Sequence, residues 1–326
     1  MIGCDGYTAD VLRRAFPVGV PVEERFVVSL TAYFDESGTH DGSEAVSVAG
    51  YLATDEMWSA FSLEWGPILR EFDLKYFHMT DFALSKKQFR GWSESKRRAC
   101  FGALLDVINR NVIGSVGIVV PLGAYLREFA PEADKFVGGP YGLAASQCFL
   151  HLGKTLRLSG VRGLVAYVYE AGAVGAGQVA KVFNENMEDP GNREYQRLLS
   201  IGFQPKYIRP EDETVRPWPG FLPLQAADIL AYELYQQLPR QLGRDPRSPR
   251  LFSLTSLRKV PAIWVHSEQE ELAKWSHIIS IRLQLSKDEL DHRVLEPAPH
   301  RDKSTITVEQ FQERWRWWQQ FNPVGG

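Results

Sequence analysis

The chain has 326 residues, 44% of them hydrophobic, and a formal charge of -3, enough apolar content for one large core or for a domain with an appendage. This balance provides no global basic field to advertise a nucleic-acid partner, although local patches can still bind one. Cys4, Cys100 and Cys148 are widely spaced with no Cys-x-x-Cys pair, which argues against a disulfide framework or a cysteine zinc site and fits a reducing cytoplasm.

The amino-terminal arm, residues 1–26, carries no charged-then-apolar leader, and no later stretch approaches the roughly 20 apolar residues of a membrane span, so a cytoplasmic location without membrane partners is expected. Residues 27–34 and 46–53 alternate as strands, joined by the polar segment 35–44 in the manner of a hairpin. The first run ends in Asp35-Glu36-Ser37-Gly38. Acidic side chains at the end of a buried strand call for a compensating metal, base or partner charge, and a hairpin turn is the plainer alternative, since Asp, Ser and Gly are turn formers. If the strand persists, Glu36 faces away from Asp35; it joins the site only if the chain turns there.

Residues 57–72 repeat Trp58, Phe61, Trp65 and Leu69 at helical spacing, and 75–78 has the composition of a short third strand. His78 and Asp81 follow, three apart. They suit a metal ligand with its orienting partner, a general base, or a satisfied histidine at a strand end. The basic run Lys86, Lys87, Arg90, Lys96, Arg97 and Arg98, with Phe89 and Trp92 interleaved, fits phosphate contact and base stacking, or equally a solvated loop. Residues 94–109 read as a helix, 112–120 as a strand and 142–158 as an apolar helix.

Residues 163–170 form the cleanest buried strand and also end in a carboxylate, Glu170. Gly172, Gly175 and Gly177 then suit a strand-to-helix turn better than a phosphate loop, because the dinucleotide order is absent. A helix at 178–186, a weaker strand at 203–208 and a proline-rich loop lead into a helix at 224–238. Gln225, Asp228 and Tyr232 share one face of it, while Ala226, Ala227 and Ala231 allow close approach to a sheet. After residue 240 the reading is a helical carboxy-terminal extension, 241–326. A second basic cluster (Arg240, Arg244, Arg247, Arg250) spans its start, followed by a helix at 268–285 and a final helix at 307–321. The seam Val308, Phe311, Trp315 and Trp318 of the last helix suits docking on its own domain, a second copy or a protein partner.

Asp35, Glu170 and Asp228, on two strand ends and one helix, suit a hard divalent ion because Mg²⁺ prefers oxygen ligands and keeps waters for reaction. Two ions about 4 Å apart would activate a water and stabilise the leaving oxygen of a phosphodiester. The segments Phe34-Asp35-Glu36-Ser37-Gly38, Phe77-His78-Met79-Thr80-Asp81 and Leu224-Gln225-Ala226-Ala227-Asp228-Ile229-Leu230-Ala231-Tyr232 resemble the successive signatures of the domain of unknown function 3800 family, across residues 30–240. That family is similar to the ribonuclease H-like fold. The resemblance implies an α/β domain at 27–240 with a mixed central sheet, helices on both faces, an acidic cluster and nuclease activity.

Carried over by position, the resemblance implies Asp35, Glu170 and Asp228 as the ligands of Mg²⁺ or Mn²⁺. Glu36 and His78 join them as catalytic candidates, and Ser37, Gln225, Lys86, Lys87, Arg90 and Trp92 are the expected substrate contacts. The type of nucleic acid stays open. Two alternatives stand beside this reading: a metal-dependent phosphohydrolase or nucleotide-binding protein acting on small molecules, and a non-catalytic partner-binding protein of the same fold.

Overall fold

The computed structural model describes residues 30–158, 165–170, 206–208, 222–241, 257 and 262–284. The amino-terminal arm, the glycine turn after Glu170, the helix expected at 178–186, the arginines beyond residue 241 and the helix expected at 307–321 lie outside the described residues.

Six strands are described: β1 (Leu30–Ser37), β2 (Ala45–Thr54), β3 (Gly114–Pro121), β4 (Val165–Glu170), β5 (Lys206–Ile208) and β6 (Ala262–His266). They form one mixed sheet in the order β5-β4-β1-β2-β3-β6. The first three pair antiparallel, while β4 joins β1, β5 joins β4 and β6 joins β3 in parallel. Every residue of β2 is buried, as a strand between two neighbours and two helical layers must be.

The described helices are α1 (Asp55–Glu71), α2 (Met79–Ala83), α3 (Glu94–Asn111), α4 (Leu122–Glu128), α5 (Pro131–Val137), α6 (Gly139–Leu158), α7 (Leu222–Gln241) and α8 (Gln269–Gln284). They cover both faces of the sheet. Leu30, Ala32 and Phe34 of β1 point into one core, with Phe149 and Leu152 of α6, Tyr125 of α4 and Leu272 of α8. The opposite core joins Ala45, Ala49 and Tyr51 of β2 to α1, α2, α3 and α7. Local signals start the longer helices: Thr54 and Ser93 accept the Met57 and Lys96 amides at the caps of α1 and α3.

Three expectations need correction. The stretch 75–78 is not a strand; it runs irregularly into α2, because its main-chain groups bond to side chains. Gln88 accepts from the Lys75 amide and donates to the Tyr76 carbonyl. The α/β unit also extends beyond residue 240, since β6 pairs with β3 and α8 packs on α4 and α5. A purely helical extension is therefore ruled out for 262–284. Finally, β1 does not end before the acidic pair: Asp35, Glu36 and Ser37 are paired with Ala49, Val48 and Ser47.

Close approach of α7 to the sheet depends on small residues. Gly117 of β3 lies beside Ala49 of β2, and a methyl group on it would sit 2.3 Å from Cδ1 of Leu234. Ser47 donates to the Ala231 carbonyl at 2.7 Å and ties the helix to β2. At the end of β1, Gly38 adopts φ +83°, and an added methyl would strike the Ala45 carbonyl and the Tyr235 ring, so glycine is required there on both counts.

Candidate active site

Asp35 lies near the end of central β1, 8% exposed. Strand alternation turns it toward the α7 face, along with Ala49, its register partner. Its Oδ1 accepts the Glu36 amide at 2.8 Å. Since β1 persists through Ser37, Glu36 faces the α6 layer with Phe34 and Val48, which removes it from the company of Asp35. Ser37 returns to the Asp35 side.

Glu170 is the last residue of β4. Phe34 and Tyr169 are register partners on adjacent parallel strands, so the positions that follow them, Asp35 and Glu170, are neighbours at the same sheet end. The Glu170 side chain lies outside the described residues. Asp228 comes from α7, which packs across β1 and β2, and is also 8% exposed.

Asp228 has an anchoring role that its sequence context does not announce. Its Oδ2 accepts the Met79 amide at 2.6 Å, capping α2 from another element, where the capping residue His78 makes no side-chain cap bond of its own. Burial pushes the Asp228 carboxyl above its usual range; Asp81 adds to this, while nearby His78 and the Met79 amide act the other way. Among the described residues no hydrogen bond to its Oδ1 is present.

His78 stands at the edge of this group. Its Nδ1 is 3.1 Å from Oδ2 of Asp81, and the same oxygen receives the Lys87 ammonium at 3.0 Å. The Asp81 contact raises the Lys87 pKa. Asp81 is 5% exposed, whereas the His78 side chain is 45% exposed. The imidazole and the amine thus meet the buried Asp81 from the solvent side, close enough to Asp228 for His78 and Asp81 to influence its carboxyl.

The expected substrate contacts divide into two groups. Gln225 is occupied internally: its Oε1 accepts from Nε1 of Trp65 at 3.0 Å and from the Phe77 amide at 2.9 Å. Trp92 packs on Phe72 and Phe89 and carries the Lys96 ammonium 4.1 Å above its ring. Arg97 stacks on Phe82 and donates to its carbonyl, and Arg98 pairs with Glu94. Much of the basic run is therefore committed to its own loop. Lys86 and Arg90 are exposed and form no ion pair among the described residues.

Among the described residues, no three His, Cys, Asp or Glu side chains are grouped as a metal cage; Glu170, the third member of the expected set, is outside that comparison. Asp35 and Asp228 are hard oxygen donors on elements packed against each other, a donor chemistry compatible with Mg²⁺ or Mn²⁺. Among the described residues the thiols offer no competing chemistry. Cys100 and Cys148 are buried and free, and burial pushes the Cys100 thiol up to about 12, far from nucleophilic. No protein-family model matches the chain, and no curated protein matches it. No described helix is long and apolar enough to cross a membrane.

Proposed function

We propose that the protein is a divalent-metal-dependent nuclease with a ribonuclease H-like core of the kind the domain of unknown function 3800 family suggests. One observation carries the reading: Asp35, near the end of β1, and Glu170, the last residue of β4, follow register partners on adjacent parallel strands and so lie at the same end of the sheet, and the helix that carries Asp228 packs across β1 and β2. Strand ends and a crossing helix are rigid, so carboxylates placed on them need little reorganisation to hold a charged substrate. Asp35, Glu170 and Asp228 would hold Mg²⁺ or Mn²⁺, which when bound supplies charge neutralisation at the phosphate and a more acidic water.

The chain's own groups supply the remaining functions. His78 presents an exposed imidazole next to Asp228, suited to accept a proton from an attacking water. Lys86 and Arg90, exposed on the adjoining turn, are placed to attract the phosphate backbone. Gln225 supports the site from beneath through Trp65 and Phe77 and does not read substrate.

The test is cleavage of end-labelled single-stranded and duplex DNA, RNA and hybrid by purified full-length protein with Mg²⁺ or Mn²⁺. Asp35→Asn is expected to lower kcat by at least about 100-fold, the scale of losing a group that stabilises transition-state charge. Absence of cleavage, or full activity in Asp35→Asn, would refute the proposal. A small-molecule phosphohydrolase is the second reading. It is favoured by the internal engagement of Trp92, Arg97 and Arg98, which narrows the surface left for a polynucleotide. Metal-dependent turnover of nucleotides with intact oligonucleotides would select it.

A further inference from the structure

We infer that Asp81 is the positioning residue of His78, fixing the imidazole with its proton on Nδ1 and its lone pair on Nε2, directed outward to the substrate. Asp81 has no obvious task in its short helix, yet it is 5% exposed, and a carboxylate is buried at a cost unless cations or donors meet it. Two do, and both reach the same oxygen: His78 Nδ1 at 3.1 Å and Lys87 Nζ at 3.0 Å.

Exposure defines which edge of the ring faces out. Nδ1 of His78 and Oδ2 of Asp81 are both shielded from solvent, although the His78 side chain as a whole is 45% exposed. The open edge therefore carries Nε2. A carboxylate against one ring nitrogen favours the proton there and leaves the other nitrogen as acceptor. Both contacts to Oδ2 are close in distance but off hydrogen-bond alignment; catalytic contacts of this kind tighten in the substrate complex.

The surrounding turn is built to keep Asp81 in place. Ser85 and Lys87 hold left-handed backbones, φ +53° and +48°, a strained choice for residues with a Cβ that persists only where other contacts over-determine it. Those contacts are present. The Lys86 amide bonds to the Asp81 carbonyl, Gln88 joins Lys75 and Tyr76, and Arg97 donates to Ser85 and to the Phe82 carbonyl. The result returns the Lys87 ammonium to the carboxylate that faces His78. On the other side Asp228 immobilises the Met79 amide, one residue from the imidazole.

With this orientation, an O–H bond of the attacking water breaks toward Nε2 as its oxygen bonds to phosphorus and the bond to the leaving oxygen breaks. The leaving oxygen takes a proton from solvent, and His78 returns its own. The use made of Nε2 rests on the hydrolytic reading; the tautomer does not.

The experiment is a long-range ¹⁵N–¹H spectrum of the full-length protein labelled at its histidines, taken where His78 is neutral and assigned by loss of its signals in His78→Gln. Wild type is expected to show Nδ1–H, Asp81→Asn to revert to the Nε2–H form, and Asp81→Glu to restore Nδ1–H. On a cleaved oligonucleotide, Asp81→Asn should lower kcat by about tenfold or more with KM little changed, a part of the range for acid–base catalysis. A wild-type Nε2–H tautomer overturns the inference whatever the activity and needs no variant to fold. Persistence of Nδ1–H in Asp81→Asn overturns the role of Asp81. The expected tautomers in a protein that cleaves nothing support the inference while the nuclease proposal falls alone.

Discussion

Gln225→Met separates support from substrate reading. It keeps side-chain bulk but removes Oε1, the acceptor shared by Nε1 of Trp65 and the Phe77 amide. Trp65 and Phe77 are 0% and 1% exposed, so water cannot readily replace the lost partner. Each buried donor left without an acceptor costs about 1–3 kcal/mol, and two give about 2–6. Gln225 itself is half-buried; partial access of water brings the expectation to about 2–4 kcal/mol. Equilibrium urea unfolding should show this as a midpoint lowered by roughly 1 M with an unchanged slope. Gln225→Glu, which still offers oxygens to both donors, should lose less. A loss below about 0.5 kcal/mol, the range of ordinary surface substitutions, combined with a raised KM, would refute the supporting role and return Gln225 to the substrate.

The remaining expectations concern Asp228 and the α7–sheet contact. Burial holds the folded Asp228 carboxyl above its ordinary value of 3.8, so over the intervening pH range the folded state keeps a proton that the unfolded chain has released. The associated stability is present below the ordinary value and lost as pH rises through the folded one. Asp228→Asn, whose amide oxygen can still accept from Met79, should abolish this dependence and gain on wild type as pH rises. Unfolding in chelator-containing buffers from acid to neutral pH checks it, and a constant gap between the two proteins would contradict it. Gly117→Ala should destabilise by about 1–3 kcal/mol through overpacking, since its methyl group meets Leu234. Leu234→Ala should relieve part of that loss in a double-mutant cycle, and strict additivity would show that the contact is not limiting.

Legibility in the sequence followed the range of the interactions. The Trp58, Phe61, Trp65 and Leu69 spacing defined α1 because a helix face repeats every few residues, and all but the fine boundaries of β1, β2, β3 and β4 followed from alternating or continuous apolar runs. β6 escaped because it is five residues long and only partly buried, too short to assert a period. The hairpin joining β1 and β2 was legible in the polar segment 35–44, but not the extension of β1 through the acidic pair, which is decided by pairing with β2.

By itself, then, the chain's pattern determined a mixed α/β architecture and put carboxylates at the ends of two strands and on one helix. Only tertiary structure decided what those side chains touch. Gln225 meets Phe77 across 148 residues and Asp228 meets Met79 across 149, and no local period encodes such partners. Folding also drew Trp92 and Arg97 into their own loop and set Lys87 on the carboxylate that faces His78. Propensity and periodicity act within a few residues, whereas the occupancy of a polar atom depends on which distant elements burial brings against it.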